Sequence, residues 1–271
     1  MKQTFSTPDP VKLYVELGAG RLLTTATDTA EAEVDITGPH AEDFQVAQSG
    51  KNLSIVAPHG RFFGRGESHV VRVTVPAGSD LITKTGSADT TTTGPLGTVA
   101  LKTGSGDIEL DRADGPCVIE SGSGDVKGFE FGNEVRIKSG SGDIDLGEVH
   151  GKTGISTGSG DVALGRVRAA TVIKTGSGDL KVERSEADVT LTTASGDLTI
   201  GSAPKGKVTA KNVSGDVRVG IPAGTPVWTD VNTVSGSLRN NLDSVGKPAE
   251  GQDYVELRAT TVSGDVHLNR V

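Results

Sequence analysis

The sequence predicts an all-β chain, a single parallel β-solenoid (β-helix) wound from 18-residue coils, and three observations carry that prediction. First, the word Ser-Gly-Asp, with Ser-Ala-Asp as its opening copy, places an Asp at 89, 107, 125, 143, 161, 179 and 197, always 18 residues apart. Second, apolar and polar residues around the word alternate with period two, which is the period of a strand and not of a helix. Third, the chain of 271 residues has 38 Gly, 3% aromatic residues and one Trp, too few large side chains for a wide core. A thin core repeated along an axis needs only a few aliphatic residues per layer.

In chain order, residues 1–80 are expected to form a divergent N-terminal β-strand region that is continuous with the solenoid and covers one end of it. Short strands are expected at Val11–Leu17, Arg21–Thr25, Ala32–Thr37, Leu53–Val56 and Val70–Val75. Between the last two, Pro58–Glu67 holds Arg61, Phe62, Phe63 and Arg65 in a Gly-rich loop. A basic-aromatic loop suits a partner protein or an anionic surface. The same two Phe can instead fold back as a plug over the first coils.

Residues 81–271 read as the regular solenoid, with a loop insertion at 240–253. Counting from each Asp, position −8 runs Val99, Cys117, Val135, Thr153, Thr171, Val189, and position −6 runs Leu101, Ile119, Ile137, Ile155, Ile173, Leu191. Position +1 runs Ile108, Val126, Ile144, Val162, Leu180, Leu198, and position +3 runs Leu110, Gly128, Leu146, Leu164, Val182, Ile200. Two short strands therefore flank each Gly-Ser-Gly corner, and stacking at about 4.8 Å turns the four positions into inward ladders. After Asp197 the spacing loosens to Asp216, to Ser237 in the Asp place, and to Asp265. The strand from Tyr254 is expected to resume the stack and to leave an uncovered final coil, an exposed β edge.

The corner residues invite a chemical reading. Gly at each bend suits positive φ or crowded backbone, and Ser and Asp can satisfy corner N–H groups through local turns. The word also resembles the Gly-Gly-x-Gly-x-Asp nonapeptide of calcium-binding β-rolls. That motif must recur every nine residues, whereas the intervening half-coils, such as 111–116 and 165–170, do not repeat it. Each site would then lack half its oxygen ligands, so no metal and no cofactor is expected. A column of Asp repels itself, and Lys84, Lys102, Lys138, Lys174 and Lys211 at position −5 are expected to offset it.

Other functions lack their signatures. The five His, at 40, 59, 69, 150 and 267, show no ligand spacing, and no nucleophile elbow, P-loop or dinucleotide fingerprint is present. Cys117 occupies an inward ladder place and reads as a small buried hydrophobe. No catalytic residue and no enzyme activity are expected. A net charge of −8 argues against nucleic acid, and no stretch is apolar enough to span a membrane. With Met1 as the native start the protein is expected in the cytoplasm; with a signal removed, it is expected exported or at the cell surface.

The chain resembles the bacterial adhesin-like β-strand-repeat family, a domain of unknown function, in its actinobacterial type. The resemblance rests on Val-Glu-Leu-Gly-Ala-Gly-Arg-Leu at 15–22, Val-Thr-Val-Pro-Ala-Gly-Ser-Asp-Leu at 73–81, the repeated Ser-Gly-Ser-Gly-Asp-Val, and the segment 255–266. It implies a right-handed β-helix and supplies no catalytic residues. The expected function is a non-catalytic interaction or scaffold protein that binds a protein or envelope component. The alternatives are a self-assembling cytoplasmic β-helix, similar to bactofilins in stacking end to end, and a secreted surface adhesin.

Overall fold

The computed structural model describes residues 1–58, 68–242, 246 and 248–271. Among them strands dominate, and the one helical element is a single 3-10 turn, Ala41–Asp43. The chain divides into two compact units, Met1–Glu134 with Lys138–Gly140, and Val135–Ile137 with Ser141–Val271. Each is a parallel β-solenoid whose coils pair in register.

In the first unit the opening coil is one strand, Lys12–Thr27, not the two short ones expected. Its ladder to Asp80–Thr93 continues through the bend, with Ala19 opposite Ser87 and Gly20 opposite Ala88. On its other side it pairs, again parallel, with Asn52–Val56 and His69–Pro76. A coil that comes later in sequence therefore lies outside the first one. Antiparallel strands extend that outer layer: Glu31–Thr37 joins His69–Pro76, Lys2–Ser6 joins Glu31–Thr37, and Gln45–Ser49 joins Asn52–Val56. The first and last of these additions, Lys2–Ser6 and Gln45–Ser49, were not legible as strands. Neither has a buried face, so neither shows the apolar alternation that betrays a strand. Phe44 is buried here and meets the His69 ring edge-on at 5.0 Å, while His69 Nε2 donates to the Pro39 carbonyl at 2.8 Å.

The regular coils follow the predicted register. Leu81 pairs with Val99 and Cys117 with Val99, while Ile108 pairs with Val126, all parallel. In the second unit Thr153 pairs with Thr171 and Val162 with Leu180. The four predicted rows are buried, including Thr153 and Thr171, whose methyls stand in for Val. Gly128 is the exception at position +3, and its coil carries Phe131, the largest fully buried side chain, at position +6.

Position +6 is itself an inward row that period-two reasoning missed, with Ala113, Phe131, Val149, Val167, Ser185 and Ala203 all buried. It lies three residues beyond +3, so the alternation slips at the bend between them. In five of the coils the second strand runs on to this row, as Ile108–Ala113 and Val162–Val167 do. Only the ladder to the neighbouring coil keeps these residues in strand.

The C-terminal end of the second unit departs from sequence order. Gly206–Lys211 and Val217–Ile221 do not pair with the strands that follow them in the chain. They pair with Val255–Ser263 and Val266–Arg270, the last repeat. That repeat pairs on its far side with Val227–Ser235 and Leu238–Asn240. The final repeat is thus inserted between two earlier ones, and the expected uncovered last coil is corrected. The coil that ends the stack is Val227–Asn240, and Val255, Leu257, Ala259, Val266 and Leu268 are fully buried.

Candidate functional site

The Ser-Gly-Asp corner was the first candidate, and its geometry shows what each residue does. The Asp carboxylates of each unit accept hydrogen bonds from the backbone N–H at the Asp place of the neighbouring coil. In the first unit Asp107 donates to Asp89 and Asp125 to Asp107, at 3.1 and 2.9 Å. In the second, Asp161 donates to Asp143, Asp179 to Asp161, Asp197 to Asp179 and Asp216 to Asp197, at 2.7–2.8 Å. The ladder then follows space and not sequence: Asp265 donates to Asp216 at 2.9 Å, and Ser237 donates to Asp265 at 2.8 Å. The bonds run between coils, not within the local turn as expected.

This ladder also explains the one missing Asp. Ser237 sits on the coil that ends the stack, so no N–H beyond it needs an acceptor. The sequence had marked the terminal coil.

The repulsion within the Asp column is offset by these N–H dipoles, by Arg239, 3.9 Å from Asp265, and by Arg218. Its guanidinium bridges Asp197 at 2.6 Å and Asp216 at 2.7 Å. Burial works against the charged form of Asp197, yet the Arg218 and Asp216 donors hold its pKa below the usual carboxylate value. For Asp265 the Ser237 backbone and hydroxyl do the same. The lysine row behaves differently from the expectation, since its observed ion pairs go to glutamates. Lys84 meets Glu16 at 3.6 Å and Lys102 meets Glu120 at 3.0 Å.

Inside the corner lies a row that sequence reasoning did not single out. Position −4 is Thr, Ser or Asn in every unit: Thr85, Thr103, Ser121, Ser139, Thr157, Thr175, Thr193, Asn212, Thr233 and Thr261. Several of its side chains bond to the bend, while the buried hydroxyls of Thr85 and Ser121 have no hydrogen-bond partner. Thr157 donates to the Ser159 carbonyl, Thr175 to Ser177 and Thr193 to Ser195, at 2.9–3.1 Å. Asn212 Nδ2 donates to the Gly215 carbonyl at 2.7 Å. Invariance of a small polar type at an inward place was the available signal.

The two corner glycines have separate reasons. At Gly178 φ is +130°, which L side chains rarely adopt, whereas a Cβ on Gly176 would lie 2.6 Å from the Gly158 carbonyl oxygen. The Asp carboxylates, most of the position −4 side chains and the corner glycines thus have a role in folding. Among the described residues no group of three or more His, Cys, Asp or Glu could hold a metal ion. Cys117 is buried, and burial pushes its thiol up to about 12, so its thiolate is not accessible at neutral pH.

What remains is the C-terminal end. The loop residues Arg61, Phe62, Phe63 and Arg65 lie outside the described residues. On the coil that ends the stack, Trp228 is 51% exposed, Val234 82% and Leu238 49%, and Tyr254 nearby is about as open. Trp228, Tyr254, Pro226, Pro248, Glu256 and Arg258 line a cleft of about 540 Å³. Arg258 lies over the Trp228 ring, 5.6 Å from its centre, and is held by Glu256 at 2.9 Å. Among the described residues no strand pairs with the outer edge of Val227–Ser235. Among the described residues no helix is long and apolar enough to cross a membrane.

None of the curated proteins matches the chain in sequence. Solved structures that resemble it include a "putative adhesin" from Parabacteroides distasonis, 12% identical with TM-score 0.46, covering 100% of this chain and 96% of that one. Another of that description, from Bacteroides fragilis, is 14% identical with TM-score 0.37, at 100% and 96% coverage. A third, described as a lipid-binding protein from Parabacteroides distasonis, is 13% identical with TM-score 0.41, at 100% and 96% coverage. At these identities and scores they inform neither chemistry nor partner. The family model of the Toastrack domain of unknown function, DUF4097, matches residues 13–269, and the chain belongs to that family.

Proposed function

We propose that this protein is a non-catalytic, adhesin-like interaction module, and that it binds a protein or envelope component through the C-terminal end of its stack. One observation carries the proposal: the coil that ends the second unit leaves Trp228 open beside Tyr254, and Val234 and Leu238 open farther along it, next to an unpaired strand edge. Two exposed aromatic side chains sharing one apolar cleft are costly to leave in water and characteristic of a binding surface. The corners offer no competing site, because their Asp carboxylates accept backbone N–H bonds and their glycines are required by the bend.

Trp228 is the only Trp, so its emission reports on this surface alone. Titration with purified envelope fractions and, separately, with increasing concentrations of the protein itself is expected to shift that emission to the blue in at least one arm. Trp228→Phe with Tyr254→Ala is expected to lose retention of the same material while the melting temperature holds. Unchanged emission in both arms, or full retention by the double variant, would remove the C-terminal end as the binding surface.

A further inference from the structure

We infer that the strand closing the stack, Val227–Ser235, pairs antiparallel with the same strand of a second copy of this chain, centred on Val231. The inference rests on the reading of the C-terminal end as the binding surface, and it names the partner.

The backbone sets the geometry. Val255 donates its N–H to the Pro226 carbonyl, and pairing continues in register from Val227 opposite Val255 to Thr233 opposite Thr261. Backbone groups alternate sides along a strand, so the N–H and C=O of Val227, Thr229, Val231 and Thr233 point away from the last repeat, to the open edge. Val255, Leu257, Ala259 and Thr261 are buried. Their partners Val227, Thr229, Val231 and Thr233 therefore face inward over the end of the core, and Trp228, Asp230, Asn232 and Val234 face outward.

A twofold antiparallel pair centred on Val231 uses all of this. Val231 meets Val231 of the second copy and Thr229 meets Thr233, both as hydrogen-bonded pairs. Outside, Trp228 meets Val234 and Asp230 meets Asn232, each twice by symmetry. Aromatic with β-branched and Thr with Thr are favourable cross-strand pairs. Other centres do worse. On Asp230 two carboxylates oppose each other, on Thr229 the Trp meets Asp230, and on Asn232 Val234 meets Asp230. The side chains thus select one register, in which no two charges of the same sign oppose each other and Trp228 does not face Asp230.

Two further features favour a closed pair over an open filament. The Asp ladder stops at Ser237, so this coil has no acceptor ready for a further parallel coil. At the other terminus the outer layer of the first unit is extended by antiparallel strands, which leaves no parallel coil as a template. An isologous contact between two copies of one strand closes on itself.

Sedimentation velocity of the full chain from about 1 to 200 µM, with Trp228 emission read on the same samples, tests the pairing. Wild type is expected to double its mass with concentration and shift its emission to the blue. Asn232→Asp places two like charges opposite Asp230 and is expected to weaken association about tenfold, while Asn232→Lys is expected to tighten it by a similar factor at low salt. Val231→Pro removes an N–H at the open edge without touching the inner ladder and is expected to abolish the pair at unchanged melting temperature. A monomer at every concentration overturns the inference, as does a dimer indifferent to the sign of charge at position 232. If envelope material still shifts the Trp228 emission of such a monomer, the binding surface stands and only its partner is wrong.

Discussion

At the scale of single residues, the corner is where this chain is least tolerant of change. Asp161 accepts the Asp179 N–H at 2.7 Å and lies in a column with Asp143 and Asp179. Asp161→Ala removes the acceptor and is expected to cost about 1–2 kcal/mol. Asp161→Asn keeps an acceptor oxygen and removes a like charge, so its urea midpoint should stay near wild type. Equal losses for both variants would show that charge, and not capping, is the role of the Asp. Gly176 has no unusual φ but has the Gly158 carbonyl where a Cβ would go. Gly176→Ala is therefore expected to destabilise by about 1–3 kcal/mol through overpacking, and a thermal melt matching wild type would contradict that packing.

At the scale of strands, both ends share one device. The coil Lys12–Thr27 lies inside the later pair Asn52–Val56 and His69–Pro76, and the last repeat lies inside the earlier Val227–Asn240. A repeat paired on both sides cannot fray from its free end, since ladders hold it above and below. A protease site placed at Pro248–Gly251 tests this. After cleavage the fragment containing Val255–Arg270 is expected to remain bound through size exclusion under native conditions and to separate only in denaturant. Release under native conditions would mean that it is not held between two coils.

At the scale of the molecule, acid is expected to weaken the fold in a defined direction. Asp197 and Asp265 have folded pKa values below their ordinary ones, for the reasons of hydrogen bonding given above. Glu186 is lowered by Arg184, and Glu120 by Lys102. A depressed carboxylate favours the folded state fully above its unfolded value, roughly 4, and that favour is lost as pH falls through the folded value. Urea midpoints should therefore be level between about pH 5 and 7 and drop below about pH 4. Asp197→Asn should flatten part of that drop. A midpoint that rises on acidification would contradict the capped ladder, because relief of the Asp column would then outweigh the lost hydrogen bonds.

The sequence by itself determined the coil. The 18-residue Asp spacing, the four apolar rows and the corner glycines appear in the structure where the period placed them, since each depends only on local alternation and on identical neighbours. Parts of the corner were visible but not interpretable: Thr103 to Thr193 at position −4 and the single Ser237 were regular signals whose meaning required knowing which group faced which. Only the tertiary structure decided the order of coils at the two ends. An 18-residue repeat fits any neighbour equally well, so the period cannot say which repeat lies beside which. That choice comes from the connections, because the segment after Val217–Ile221 goes to the end of the stack and leaves one slot for the last repeat. It also decided which strand edge is open: not the last strand of the sequence but Val227–Ser235, the strand with nothing beyond it among the described residues.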